Sequence, residues 1–441
     1  MDEKVGRRPE LVRDSSWLAG SDLVVVALGL VGQAFLAKSL LRSDFGMMVV
    51  LIDAFAVMFL FIDAGLPTII TRDVPRARHQ CRALVGQTYR IQAVLCLVMF
   101  PPGLLIGFLL WPAAPTELLL ACGGIAIVHV FTYAPRSALR ALGEARQEAF
   151  VKLIERVVVT SGYGLLTWVG ITSPTYYASA FLLGVVLSLV YALFAASRLW
   201  NSVLIPTGAL EKPSSGLEET PRENILLSNK ELILSALPFA ITVGVIPLIG
   251  RFEKLLLSAY HGTAEVAVFH VAFLAYLAGL TLPQAIRAAM LPILGQIRTD
   301  ISATMTEIRK ARRIILWLIP LGLVGGAVVV KLLMQVAFSD YVGDSYGLFL
   351  ILLAGWAITM LTAPNYVAVQ AGANPWRFTL MLFIGVSIAI ISALVFIPEL
   401  GVVGAAYSSV VGALAIGVVA VVFSGEFSNT SSDVTLGSES E

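Results

Sequence analysis

The sequence predicts an all-α polytopic membrane protein of about 12 transmembrane helices, in two six-helix bundles around a central cleft. Three observations carry this. Of 441 residues, 58% are hydrophobic and only 13% charged, against about 45–50% and about 25% in a soluble domain. Apolar runs recur at the length of a bilayer crossing, about 20 residues. A Pro/Ser/Glu-rich stretch near the middle then separates the first half of these runs from the second. The net charge of +1 gives no reason to expect nucleic acid as a partner.

In order, the spans fall at 17–41, 47–70, 84–110, 117–140, 149–170, 175–198, 232–258, 264–291, 312–336, 346–369, 376–397 and 401–424. Pro101, Pro102 and Pro112 make the third and fourth the least regular. Residues 1–16 read as a cytoplasmic tail, since the long apolar run after them lacks the cleavage pattern of a signal peptide. The N-terminal bundle is expected over 17–199, a cytoplasmic linker over 200–230 and the C-terminal bundle over 231–425. A disordered acidic tail is expected over 426–441. Lys and Arg cluster in alternate loops, as with Arg72, Arg76, Arg78 and Arg82, and again with Arg309, Lys310, Arg312 and Arg313. The opposite loops, such as "WPAAPTE", "AYHGT" and "IPELG", have none, and Arg42 is the exception. This bias predicts both termini on the cytoplasmic side of the cytoplasmic membrane.

Two segments echo each other. "LLRSDFGMMVVLIDAFAVMFLFIDAGLPTII" joins the first two spans, and "LLSAYHGTAEVAVFHVAFLAYLAGLTLPQAI" joins the seventh and eighth. Both end in Leu-Pro, so Pro67 and Pro283 correspond, half a chain apart. The halves share an in–out sense, as parallel repeats do in alternating-access transporters.

Charged residues within spans are costly and by default face a bundle interior or a water-filled cavity. Arg251 and Lys254, three apart on the seventh span, share a helix face, and Glu253 points elsewhere. Arg136 and Arg287, toward the ends of the fourth and eighth spans, extend a cationic strip with Arg251. Guanidinium groups at such depths suit an anionic cargo, because each forks onto two phosphate oxygens. Lys254 also reads as an interfacial residue whose amine snorkels outward. Asp22, Asp53, Asp63 and Glu253 are candidates for ion coupling or for pairing between helices. They keep open the alternative of an ion-coupled exporter of drugs or other small molecules.

Cys81, Cys96 and Cys122 show no C-x-x-C spacing and read as small apolar residues, and the four histidines have no ligand spacing. No metal or cofactor site is expected. The phosphate-binding loop G-x-x-x-x-G-K-[ST], H-E-x-x-H and G-x-S-x-G are all missing. The outer loops are too short for a membrane glycosyltransferase or polymerase site, so an enzyme is not expected.

Three stretches in order resemble the polysaccharide-transporter flippases of the multidrug/oligosaccharidyl-lipid/polysaccharide exporter superfamily, the first carrying two motifs. Asp44, Phe45 and Gly46 match a turn between the family's first two helices, and Asp63, Gly65 and Leu66 match the end of its second. Arg251, Glu253 and Lys254 match an Arg-x-Asp-Lys stretch in its seventh, with Glu for Asp. Pro398, Gly401, Gly404, Ala405 and Ala406 match the junction of its last two helices. The resemblance implies translocation of a polyprenyl-phosphate-linked glycan across the membrane, with membrane lipids, glycosyltransferases and a polysaccharide polymerase as partners.

Overall fold

Every regular element in the computed structural model, which describes residues 3–203, 227–297, 300–372 and 374–436, is helical. The protein is a polytopic, all-helical membrane protein. Its first seven long elements are α1 (Glu3–Ser39), α2 (Arg42–Asp63), α3 (Leu66–Asp73), α4 (Cys81–Leu110), α5 (Thr116–Ala141), α6 (Ala145–Val169) and α7 (Pro174–Val203). The remainder are α8 (Asn229–His261), α9 (Thr263–Gly279), α10 (Thr281–Gln296), α11 (Ile301–Ala337), α12 (Val342–Ala371) and α13 (Pro375–Leu436). Most of the expected linker, 204–226, lies outside the described residues. The backbone of α13 stays helical through Leu436, across most of the stretch whose composition suggests a disordered tail.

Nine helical stretches among the described residues are long and apolar enough to cross a membrane. They cover ten of the twelve expected spans, because the last stretch, Trp376–Gly425, holds two. The two spans left out of that count, 149–170 and 232–258, are nonetheless helical, in α6 and α8. Each carries three charges in its apolar run: Lys152, Glu155 and Arg156 in α6, and Arg251, Glu253 and Lys254 in α8. Pro101 and Pro102 do not interrupt α4. The helices α4 and α11 turn apolar side chains such as Leu97, Leu109, Trp317 and Val336 outward, as lipid-facing helices do.

Packing divides the chain into two units: Met1–Leu40 with Ala54–Ile241, and Leu41–Asp53 with Thr242–Glu441. These units do not follow the linker. The first half of α2, up to Asp53, packs with the second unit, and α8 up to Ile241 packs with the first. In the first unit, Leu66, Ile69 and Ile70 of α3 pack with Leu84 and Val85 of α4, Ala134 and Ala138 of α5, and Leu232 and Ala236 of α8. The second unit is centred on α9, whose Val266, Ala267, Phe269, Val271 and Ala272 are all buried.

The motifs singled out in the sequence are packing devices. In the first unit α2 ends at Asp63, Ala64 and Gly65 adopt positive φ (48° and 69°), and α3 restarts at once with Pro67 in its first turn. A Cβ on Gly65 would lie 2.6 Å from the Ala240 backbone nitrogen, so only glycine fits. In the second unit Gly46 lies against α9, where a Cβ would come 1.7 Å from the Thr263 carbonyl oxygen. Its neighbour Phe45 is fully buried, edge-on to His270 and Tyr341. The last two helices join at Gly401, whose φ is 56°.

The echo between the halves has a shared physical form. Each expected single span, 47–70 and 264–291, is two helices with a break just before its proline: α2 and α3 before Pro67, α9 and α10 before Pro283. Pro283 has no N–H to offer the carbonyl of Gly279 one turn back. The Trp356 indole Nε1–H donates to that carbonyl instead, at 2.9 Å. Arg42, the exception to the loop-charge pattern, is tied down. Its guanidinium is 2.7 Å from Asp344, donates to the Asp340 carbonyl and lies over the Tyr341 ring.

Candidate substrate cavity

The second unit contains a cavity of about 520 Å3. Six helices supply its wall, and each contributes for a local reason. The half of α2 that packs here brings Asp53, and the charged turn of α8 brings Arg251 and Lys254. The aromatic face of α9 brings Phe273 and Tyr276, and α10, restarted by the Pro283 break, brings Gln284 and Arg287. From α12 come Thr359, Thr362 and Tyr366, and from α13 comes Ser409. The exposed wall is more apolar than polar, and several charged, hydroxyl and amide groups are set into it, as in a ligand site.

Its charges are unevenly matched. Lys254 Nζ donates to Asp53 Oδ2 at 2.8 Å and lies 5.2 Å from the centre of the Phe273 ring. Arg251 Nε is 3.6 Å from Asp53 Oδ1, an ion pair longer than a hydrogen bond. One carboxylate therefore faces two cations. Arg287 is stacked over Tyr366, with its guanidinium carbon 3.8 Å from the ring centre. Among the described residues Arg287 has no carboxylate at ion-pair distance, and its Nε is buried without a hydrogen-bond partner. Glu253 is taken up elsewhere: it accepts hydrogen bonds from the Ser408 and Ser409 hydroxyls at 2.9 and 2.7 Å and is 1% exposed. Those bonds fix the rotation of α8 against α13.

The other candidates lie in the first unit. Of the three arginines grouped into one strip by the sequence, the cavity wall holds Arg251 and Arg287. Arg136 belongs to the first unit, where it stands 3.8 Å from Glu148 and over the Tyr133 ring. Asp22 accepts from Lys152 Nζ at 2.8 Å. Asp63 ends α2 in the first unit, and its Oδ1 is buried without a hydrogen-bond partner among the described residues. Sequence reasoning missed Phe273, Tyr276, Gln284, Thr359, Thr362 and Tyr366. Uncharged polar and aromatic residues in an apolar run carry no distinguishing signal. The available hints were Gln284 directly after the helix-breaking proline and Tyr366 two places after Pro364.

The chain matches the sequence profile of a family described as polysaccharide biosynthesis protein over residues 11–298, well over half its length. It belongs to that family. No curated protein sequence matches it. Several solved structures share its fold across nearly the whole chain. One is an inward-facing multidrug resistance MATE family transporter of the MOP superfamily, with TM-score 0.68, 15% identity, and 91% of this chain and 93% of that one covered. Another is the lipid II flippase MurJ in an inward closed conformation, with TM-score 0.63, 15% identity, and 93% and 87% covered. A third is a MOP superfamily transporter from Pyrococcus furiosus, described as having a binding pocket of reverse polarity, with TM-score 0.59, 16% identity, and 94% of each chain covered. The fold is thus that of MOP superfamily transporters.

Proposed function

We propose that this protein translocates a lipid-linked oligosaccharide or polysaccharide precursor across the cytoplasmic membrane by alternating access, for assembly of a cell-surface glycan. The observation that carries the reading is the cavity wall in which Arg251, Lys254 and Arg287 face a single carboxylate, Asp53. A phosphate or pyrophosphate link between sugar and polyprenyl chain is the group such a wall would hold, through paired N–H donors. Tyr276, Tyr366, Thr359, Thr362 and Gln284 offer hydroxyl and amide groups to the sugar. A polar head cannot enter hydrocarbon unaided, because every lost hydrogen bond to water must be replaced. The cavity supplies the replacements while the apolar tail stays in lipid. Family membership and the MOP fold support the same reading, as does the loop-charge bias for cytoplasmic termini. Glycosyltransferases would supply the substrate and a polymerase would consume it.

The test is the leaflet in which the intermediate accumulates. In cells lacking the protein, an impermeant sugar-modifying probe on right-side-out vesicles is expected to find less lipid-linked oligosaccharide in the outer leaflet. Wild-type protein is expected to restore it, and Arg251→Ala is expected to restore much less at an equal amount of membrane-inserted protein. If the variant's activity and amount fall together, Arg251 serves folding. An unchanged outer pool in the deletion, together with ion-dependent efflux of dyes by the wild type, would identify a small-molecule exporter instead.

A further inference from the structure

Two acids lie beside the cations of the cavity, and they are held in different ways. Both oxygens of Glu253 are bonded by serine hydroxyls, and the residue does not line the cavity. Asp53 does line it, and among the described residues its carboxylate receives one hydrogen bond, from Lys254. Arg251 approaches only to 3.6 Å. Lys254, for its part, is nearly fully buried but has three N–H donors, and it too borders the cavity.

We infer that Asp53 is the cavity's resident counter-ion, and that an oxyanion of the phosphate class binds by taking its place on Lys254 and Arg251. This deepens the transport reading above and rests on it. An ammonium this deeply buried among membrane helices needs an anion at all times. Asp53 provides it while the cavity is empty. A phosphate group brings more charge and more acceptor oxygens than a carboxylate, so it is the stronger partner for the same two cations. Exchange lets it bind without Lys254 ever being left bare. The released carboxylate remains on the cavity wall, in reach of water. Asp53 thereby holds the affinity for the anion below what the cations alone would give. A transporter needs that restraint, since its cargo must leave as well as enter.

The experiment uses the full chain, purified in detergent, with geranylgeranyl diphosphate as probe and calorimetry as readout. Removing the competitor with Asp53→Asn or Asp53→Ser is expected to tighten binding about fivefold or more, within the usual range of coupling between sites. Asp53→Glu, which keeps the charge, is expected to bind like the wild type. Two neutral variants are used so that a folding failure in one leaves the other to be read, and thermal unfolding confirms which is intact. If the neutral variants bind equally or more weakly while the wild type binds, the exchange is wrong and Asp53 merely positions Lys254. If neither the wild type nor any variant binds the diphosphate, the anion-cavity reading itself falls.

Discussion

Glu148 and Asp53 are both carboxylates attended by several cations, one in each unit, and the contrast between them separates structure from transport. Glu148 is 0% exposed and closely surrounded. Arg140 donates to both of its oxygens, Arg136 stands at 3.8 Å and Lys152 at 3.9 Å, and Lys152 reaches on to Asp22. Two turns along α6, Glu155 is flanked by His129 at 3.4 Å and Arg156 at 3.7 Å. These charges close on one another. In the second unit Asp53 meets two cations on the wall of a cavity, and among the described residues Arg287 is matched only by the Tyr366 ring. The lesson is that a buried charge marks a site only when its surroundings leave it something to bind.

The largest effect expected from this contrast is at Glu148. Glu148→Gln takes the shared carboxylate away from Arg136 and Arg140 and leaves Lys152 to Asp22, and breaking a buried pair from one side costs about 3–5 kcal/mol. Thermal unfolding of the purified protein should show this loss with or without added inorganic phosphate, whereas the loss in Asp53→Asn, whose cations border a cavity, should be recovered by phosphate. Recovery of both variants alike would erase the distinction between the two units. Next come the glycines. Gly46→Ala in the second unit and Gly65→Ala in the first both drive a Cβ into backbone, and overpacking of this kind costs about 1–3 kcal/mol. Gly20→Ala has open space and should be neutral or slightly stabilising in the same measurement. A tolerated Gly46→Ala would show that the second unit yields where the first does not.

The smallest effect is at the start of α11. The Asp300 side chain accepts from the Ala303 N–H at 2.9 Å and from the Ser302 hydroxyl at 2.8 Å, capping the helix. The Ala303 N–H, then the Ser302 hydroxyl, hold its carboxyl below the usual value of 3.8. A depressed folded value means that the cap contributes fully above about pH 4 and is lost as pH falls through the folded value. Asp300→Ala should therefore lower the unfolding temperature slightly at neutral pH and leave it nearly unchanged in strong acid. An equal deficit at both pH values would mean that the lost contribution is not the carboxylate's.

Helix content and most spans were legible because they follow from composition along the chain. So was the pairing of Arg251 and Lys254 on one face, since a helix places residues three apart together. The partners were not legible. Lys254 and Asp53 are 201 residues apart, and Glu253 and its serines 155 and 156, distances over which periodicity carries no information. The Glu148 partner of Arg136 in the first unit was hidden as well, because depth along a span can be read from sequence but which neighbour a side chain faces cannot. The breaks before Pro67 and Pro283 were hidden because the apolar runs continue through them. There a tight turn at Gly65 and the Trp356 indole take up the strain.

The central claim is that the cations of the second unit carry an anionic head group, and reconstitution tests it most directly. The purified protein is placed in liposomes holding a fluorescent polyprenyl-diphosphate sugar, and an impermeant quencher reads the fraction moved between leaflets. Wild-type protein should equilibrate the leaflets. Arg287→Ala removes a cation with no acid to strand, so it should fold normally and flip at least about tenfold more slowly, the effect of about 1.4 kcal/mol. An Arg287→Ala protein that flips at the wild-type rate would contradict the account.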